Sequence, residues 1–273
     1  MLGITQGLTE FAPVSSSGHL ILVPWLFGWP ILSDPDFNKA FDVVLHLGTL
    51  VGALAYFWRD VLRYARAWFG SLAHRSVSTA DEKIAWALVL GTIPGAIAGA
   101  TLESVVEDRL GEPWIIAVLL TVFAAVLYVA DRAARSDRSF DDITPRTGLG
   151  LGVAQALALQ PGVSRSGVTI TVGRLIGLDR ESAARFSFLL SLPIIAGAGA
   201  FKGLDLLNTG IPQGYAWPFF WGTIASAVSG FLVIWFLLSY LRRHGFGLFL
   251  WYRIGVTVLV FALILAGVRP ASL

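Results

Sequence analysis

The chain has 273 residues, 55% of them hydrophobic and only 14% charged, with a mean hydropathy of +0.70; soluble domains are about a quarter charged, so composition excludes a water-soluble fold. The formal charge of +2 is too small for a nucleic-acid binder. With no cysteine there is no disulfide, thiolate metal site or cysteine nucleophile, while ten Trp and 29 Gly suit interfacial aromatics and glycine-tolerant spanning helices.

The first apolar stretch, roughly 1–29, is interrupted by Gln6, Glu10 and His19 and has no basic segment before it, so no cleavable signal peptide is expected. It breaks at Ala12-Pro13-Val14-Ser15-Ser16-Ser17-Gly18 and reads as two half-helices joined by a polar turn. A spanning helix needs about 20 apolar residues, and three such runs follow at roughly 40–58, 84–101 and 114–131. A second broken stretch, 147–177, turns at Gln160-Pro161-Gly162-Val163-Ser164-Arg165-Ser166-Gly167, and further spans follow at 186–203, 217–240 and 248–267. Irregular backbone at membrane depth survives only where protein buries it or it lines a wet cavity. The expected fold is therefore an all-α integral membrane protein with six transmembrane helices and two re-entrant helix hairpins whose tips form a site.

Basic residues set the orientation. Arg59, Arg63, Arg66, Arg75 and Lys83 follow the first span, Arg132, Arg135, Arg138 and Arg146 the third, and Arg242 and Arg243 the fifth, while Arg180 and Arg185 precede the fourth. Only Lys39, Arg109, Lys202 and Arg269 fall at the opposite ends. The positive-inside rule makes the first set cytoplasmic and the segment Glu103 to Glu112, with Glu107 and Asp108, exoplasmic. The two hairpins then enter from opposite faces. Gln6, Leu8, Ser15, Ser17, Gly18 and Gly48 align at one constant offset with Gln155, Leu157, Ser164, Ser166, Gly167 and Gly197, and Gly91-Thr92-Ile93 matches Gly222-Thr223-Ile224. One membrane domain over 1–273 with inverted repeat halves, about 1–131 and 147–268, is expected, with the site at the repeat interface. Gly91, Gly95 and Gly99, like Gly222, Ser226 and Gly230, recur every four residues and are read as close-packing faces.

The polar groups concentrate in the tips: Gln6, Glu10, Ser15, Ser16, Ser17 and His19 in the first, Ser164, Arg165, Ser166 and Thr169 in the second. An ionisable side chain at the centre of a spanning helix costs at least about 2.5–3.5 kcal/mol, so placement there calls for a reason. Gln6 and Glu10, four apart on one helical face, can offer oxygens to Mg²⁺ or Ca²⁺ if substrate phosphates and waters complete the shell. Ser15-Ser16-Ser17-Gly18 brings hydroxyls and free N–H groups to a helix N-terminus, a natural anion site. Ser164-Arg165-Ser166-Gly167 repeats the arrangement and adds a guanidinium, which stays charged when desolvated and holds phosphate bidentately. His19 is a candidate nucleophile or general acid. His46, His74 and His244 are read as structural, Arg253 as snorkelling towards an inner helix end, Asp42 as near an outer end, and Arg174 remains ambiguous.

These residues resemble the undecaprenyl-pyrophosphate phosphatases of the BacA/UppP type, bacterial membrane enzymes associated with bacitracin resistance. Gln6-Gly7-Leu8-Thr9-Glu10-Phe11 with Pro13-Val14-Ser15-Ser16-Ser17-Gly18-His19 is similar to the family's first motif, and Pro161-Gly162-Val163-Ser164-Arg165-Ser166-Gly167-Val168-Thr169 to its second. The resemblance implies hydrolysis of undecaprenyl pyrophosphate to the monophosphate and inorganic phosphate with a divalent cation, recycling the carrier for peptidoglycan synthesis at the outer face of the plasma membrane. It assigns Glu10 and Gln6 to the metal and substrate site, Ser16 and His19 to catalysis, and Arg165, Ser164 and Thr169 to phosphate. It leaves open which of Ser16 and His19 attacks phosphorus; a neutral hydroxyl needs an adjacent base, which favours His19 with Ser16 orienting. Gln6 stands where the family can carry Glu, which weakens a two-carboxylate metal model, and the chain begins five residues before Gln6, so a short first half-helix is expected. Expected partners are a prenyl pyrophosphate, membrane lipids and, as an assembly to test, a second copy in a homodimer; nucleic acid is not among them. The rival reading is an inverted-repeat transporter or flippase for a phosphorylated prenyl lipid, which needs the anion site but no nucleophile.

Overall fold

A computed structural model describes residues 1–29, 35–209 and 216–272, without the side chains at 35–37, 39, 103–110, 202 and 204–209. The expected placements of Lys39, Arg109 and Lys202, and the exoplasmic acids Glu107 and Asp108, lie outside the described side chains. Among the described residues ten α-helices carry the fold: α1 (Leu2–Phe11), α2 (Ser16–Phe27), α3 (Pro35–His74), α4 (Ala80–Leu110), α5 (Pro113–Ala133), α6 (Pro145–Ala156), α7 (Arg165–Leu175), α8 (Arg180–Thr209), α9 (Ala216–Leu241) and α10 (Gly247–Leu265). Among the described residues there is no strand, only one isolated bridge between Arg138 and Leu178.

Among the described residues six stretches are long and apolar enough to cross a membrane: Ala40–Ala73, Ala80–Leu102, Pro113–Ala133, Arg180–Phe201, Ala216–Leu241 and Gly247–Leu265. Each covers one expected span. The first runs well past its expected end, because α3 continues through a kink at Phe57 (φ −96°, ψ 17°) instead of stopping at the basic residues. Local chemistry sets several boundaries. Thr79 and Glu82 close a reciprocal capping box at the start of α4, and Pro113, whose missing N–H is no loss there, opens α5.

Packing depends on missing side chains. A Cβ on Gly148 or Gly152 of α6 would overlap the backbone of Ala87 or Gly91 on α4, and one on Gly52 of α3 would overlap Ala227 of α9. Ser226 of α9 donates to the Leu45 carbonyl of α3 at 2.6 Å. In a bilayer, where lipid tails are as apolar as leucine, such close backbone approach is what holds helices together.

The basic helix ends meet. Arg185 at the start of α8 pairs with Asp60 of α3 at 2.7 Å, Arg242 after α9 pairs with Glu181 at 2.7 Å, and Asp131 at the end of α5 accepts Arg174 and Arg180 at 2.8 Å each. Arg174, left ambiguous by sequence, is thus a buried structural cation that also donates to the Leu178 carbonyl. Arg269 reaches back to the Leu26 carbonyl at 3.2 Å.

Candidate functional site

Two turns built alike form the centre of the molecule. The first joins α1 to α2 through Ala12–Ser15, and the second leads into α7 through Gln160–Ser164. Ser15 (φ 70°, ψ 94°) and Ser164 (φ 76°, ψ 112°) both hold a positive φ that non-glycine residues rarely adopt. Each Oγ accepts the N–H three residues on, Gly18 at 3.4 Å and Gly167 at 3.1 Å, so each serine caps its helix. Backbone of this kind costs about 1–3 kcal/mol and persists only where the surroundings over-determine it.

Those surroundings are the other turn. The Gly162 N–H donates to Ser15 Oγ at 2.9 Å, and Ser166 Oγ donates to the Ala12 carbonyl at 3.0 Å. Arg253 of α10 completes the lock: Nη1 donates to the Pro13 carbonyl at 3.2 Å, and Nη2 to the carbonyls of Gly162 at 2.7 Å and Val163 at 3.2 Å. Arg253 is fully buried, which corrects the expectation that it snorkels to a helix end. Two irregular turns expose carbonyls that no helix satisfies, and a planar fork of donors suits them better than water could at this depth.

The chemistry sits beside this lock. Glu10 ends α1 and Arg165 opens α7; Arg165 Nη2 donates to Glu10 Oε1 at 2.6 Å, with side chains 16% and 5% exposed. Glu10 Oε2 accepts Gln6 Nε2 at 2.9 Å and the Ser16 hydroxyl at 2.5 Å. Arg165 Nη1 also reaches the Ser191 carbonyl at 3.4 Å. Gln6, Glu10 and Ser16, neighbours in sequence, and the remote Arg165 therefore form one connected cluster, with Ser16 and Arg165 on its accessible side.

The other expected site residues have different settings. Ser17 leans on Ser15 (Oγ to Oγ 3.4 Å), and Ser164 and Ser166 share a hydrogen bond at 3.2 Å. Ser15, Ser164 and Ser166 are buried and bonded within the two turns, whose shape they hold. Thr169, expected to bind phosphate, instead bonds Ser187 at 2.6 Å and the backbone of its own helix, and is fully buried. One turn into α7, its side chain points into the helix packing against α8. His19 Nδ1 donates to the Ser15 carbonyl at 2.8 Å; a carbonyl only accepts, so Nε2 is the free acceptor and takes the Tyr252 hydroxyl at 2.9 Å. The two rings stack with centroids 5.6 Å apart.

Three residues of this region were not legible as such. Tyr252 and Arg253 lie in the last span; the charge of Arg253 is visible in that apolar run, but the turn carbonyls it serves are not. His46, read as structural, stands with Nε2 3.6 Å from Glu10 Oε2, a contact the sequence did not announce. The other two histidines are structural: His74 bonds Ser76 at 2.8 Å and Glu82 at 3.0 Å, and His244 stacks on Tyr240 at 4.5 Å. Asp42 contributes its carbonyl to His46 Nδ1 at 2.7 Å.

Among the described residues, no three His, Asp or Glu side chains cluster as a self-sufficient metal cage. The donor set nevertheless fits a divalent cation. Gln6 is fully buried and its Oε1 has no hydrogen-bond partner, an orphaned acceptor beside the Glu10 carboxylate. An amide oxygen and a carboxylate oxygen suit a hard cation that takes its remaining ligands from phosphate and water.

Fold and site together define a multi-pass helical membrane protein with a buried carboxylate–guanidinium pair, a hydroxyl and a helix N-terminus gathered at paired turns. The chain belongs to the family described as bacitracin resistance protein BacA, whose model matches residues 1–259. It is 50% identical over 270 residues to an undecaprenyl-diphosphatase of Desulforudis audaxviator, covering 97% of each chain. Relatives of the same name from Thermomicrobium roseum and Pelobacter propionicus are 45% and 42% identical, the matches covering 94% and 98% of this chain and 93% and 97% of theirs.

Proposed function

We propose that this protein is a membrane phosphatase that hydrolyses undecaprenyl pyrophosphate to undecaprenyl phosphate and inorganic phosphate, returning the lipid carrier to peptidoglycan synthesis. The observation that carries the reading is the Glu10 cluster: a guanidinium at 2.6 Å and a serine hydroxyl at 2.5 Å on one buried carboxylate, from turns far apart in the sequence. Full-length similarity to proteins named undecaprenyl-diphosphatase supports the substrate.

In this reading the prenyl tail stays in lipid and the diphosphate meets the first turn of α2. Arg165 and the N–H groups there offset the charge on the transferred phosphoryl group. Phosphoryl transfer asks a protein chiefly for positioning and charge. The sequence favoured His19 as the attacking group because Ser16 lacked a visible base. Glu10 now supplies one, so Ser16 is the better nucleophile: Oγ attacks the terminal phosphorus, its proton passes to Glu10, and the bond to the bridging oxygen breaks, releasing undecaprenyl phosphate. Water then cleaves the phosphoserine to release phosphate, with the His19–Tyr252 pair as the acid–base group of that step. Gln6 and Glu10 would hold the divalent cation, Mg²⁺ or Ca²⁺, which when bound neutralises phosphate charge.

The paired turns are read as tips of re-entrant hairpins in an inverted repeat with halves near 1–131 and 147–268. Support comes from their matching positive-φ serine caps and reciprocal hydrogen bonds. The basic helix ends are read as cytoplasmic, which opens the site to the periplasm in a bacterial plasma membrane. A homodimer belongs to the same reading, to be measured by light scattering in detergent. The decisive test is phosphate release from a prenyl pyrophosphate by detergent-purified protein with Mg²⁺ or Ca²⁺. Wild type should turn over, and folded Arg165→Ala and Glu10→Ala should release nothing; near-normal turnover in either variant would refute the assignment.

A further inference from the structure

His46 occupies an unusual position for a residue on a spanning helix. Its Nδ1 lies 2.7 Å from the Asp42 carbonyl, which can only accept, so Nδ1 carries the hydrogen. Nε2 is then the ring nitrogen left to act as a ligand, and the atom facing it, 3.6 Å away, is Glu10 Oε2. Two acceptors face each other across a gap too long for a hydrogen bond. Beside them lies a third acceptor, Gln6 Oε1, buried and without a partner. Glu10 Oε2 accepts Gln6 Nε2 and Ser16 Oγ, but the acceptors flanking it, His46 Nε2 and Gln6 Oε1, have no donor, an unfavourable arrangement at membrane depth that a positive charge would relieve.

We infer that His46 is a metal ligand, and that His46 Nε2, Glu10 Oε2 and Gln6 Oε1, once the Gln6 amide turns so that Oε1 takes the place of Nε2 towards Glu10, together hold a divalent cation that accepts mixed nitrogen and oxygen donors. The inference rests on the phosphatase reading of the same site and adds a residue and a cation preference to it. Donors of about 2.0–2.2 Å bond length can share one ion at the separation seen between His46 and Glu10. The His46 side chain is 34% exposed, so the face of the site away from Gln6 stays open to substrate phosphate and water. Imidazole shifts preference away from Ca²⁺, which favours all-oxygen shells, towards first-row ions such as Mn²⁺.

The test uses full-length protein in detergent, stripped with chelator and titrated with Mn²⁺, with and without a methylene-bisphosphonate analogue of a prenyl diphosphate. Electron paramagnetic resonance reads free Mn²⁺, and electron spin-echo modulation reads imidazole nitrogen on the bound ion. Wild type should show the nitrogen coupling in at least one arm. His46→Ala should lose it and bind at least about tenfold more weakly, since outer-shell partners alone are worth about 10–100-fold. His46→Gln, which offers an oxygen at similar reach, should recover part of the affinity without the coupling, and circular dichroism should report both variants folded. Absence of coupling in both wild-type arms, or His46→Ala binding as tightly as wild type, overturns the inference. Phosphate release is assayed on the same wild-type preparation. Turnover without nitrogen coupling sinks only the His46 assignment, and coupling without turnover sinks only the phosphatase reading.

Discussion

Removing one member of the Glu10–Arg165 pair and then both separates its structural from its chemical role. The pair is 2.6 Å long with both side chains largely buried, and leaving one buried charge uncompensated costs about 3–5 kcal/mol. Arg165→Met leaves the Glu10 carboxylate with only the neutral donors Gln6 and Ser16. Glu10→Gln removes the negative charge facing the guanidinium and leaves it only neutral acceptors, the new amide oxygen and the Ser191 carbonyl at 3.4 Å. Each single variant should lower the unfolding midpoint by roughly 10 °C, followed by tryptophan fluorescence in detergent. The double variant, with no unpaired charge, should recover a large part of that loss, a coupling of about 1–3 kcal/mol. Phosphate release should nevertheless be absent from all three. Additive losses in stability would show that the two groups do not sense each other, and a double variant that hydrolyses substrate would remove the pair from the chemistry.

Ser16→Ala should lower phosphate release by at least about a thousandfold while leaving binding of the bisphosphonate analogue within a few fold. Near-normal turnover in that variant returns the nucleophile's role to His19 or to water. Gly7→Ala should be damaging although it adds one methyl, because its Cβ would collide with Ser229 Oγ and lie 2.7 Å from backbone atoms of α9. Forcing α1 off α9 should cost about 1–3 kcal/mol and displace Gln6 and Glu10 together, so midpoint and activity fall in step; a variant with native activity would show that α1 has slack.

The fold was largely readable because spanning helices announce themselves by uninterrupted apolar length, and all six appeared where expected. Both turns were readable too, since Pro, Ser and Gly gathered inside an apolar stretch interrupt its helix and leave polar backbone that must turn. Which polar side chains face one another was less so. Thr169 follows the phosphate-like motif in sequence, yet helical rotation carries it to Ser187. His46 and Arg253 carry no local signal of their roles, because their meaning comes from partners on other helices: Glu10 for one and three turn carbonyls for the other. A single chain reveals composition and period, whereas a cluster drawn from four helices depends on register and tilt.

Arg253 has a bearing on biogenesis. It emerges from the ribosome some 90 residues after the second turn and 240 after the first. Until α10 has inserted, the carbonyls of both turns have no guanidinium to hold them, and the strained serine caps lack their restraint. The nascent chain therefore passes most of its synthesis with its reactive groups unassembled. Both turns gain their shared restraint only once α10 has joined the bundle.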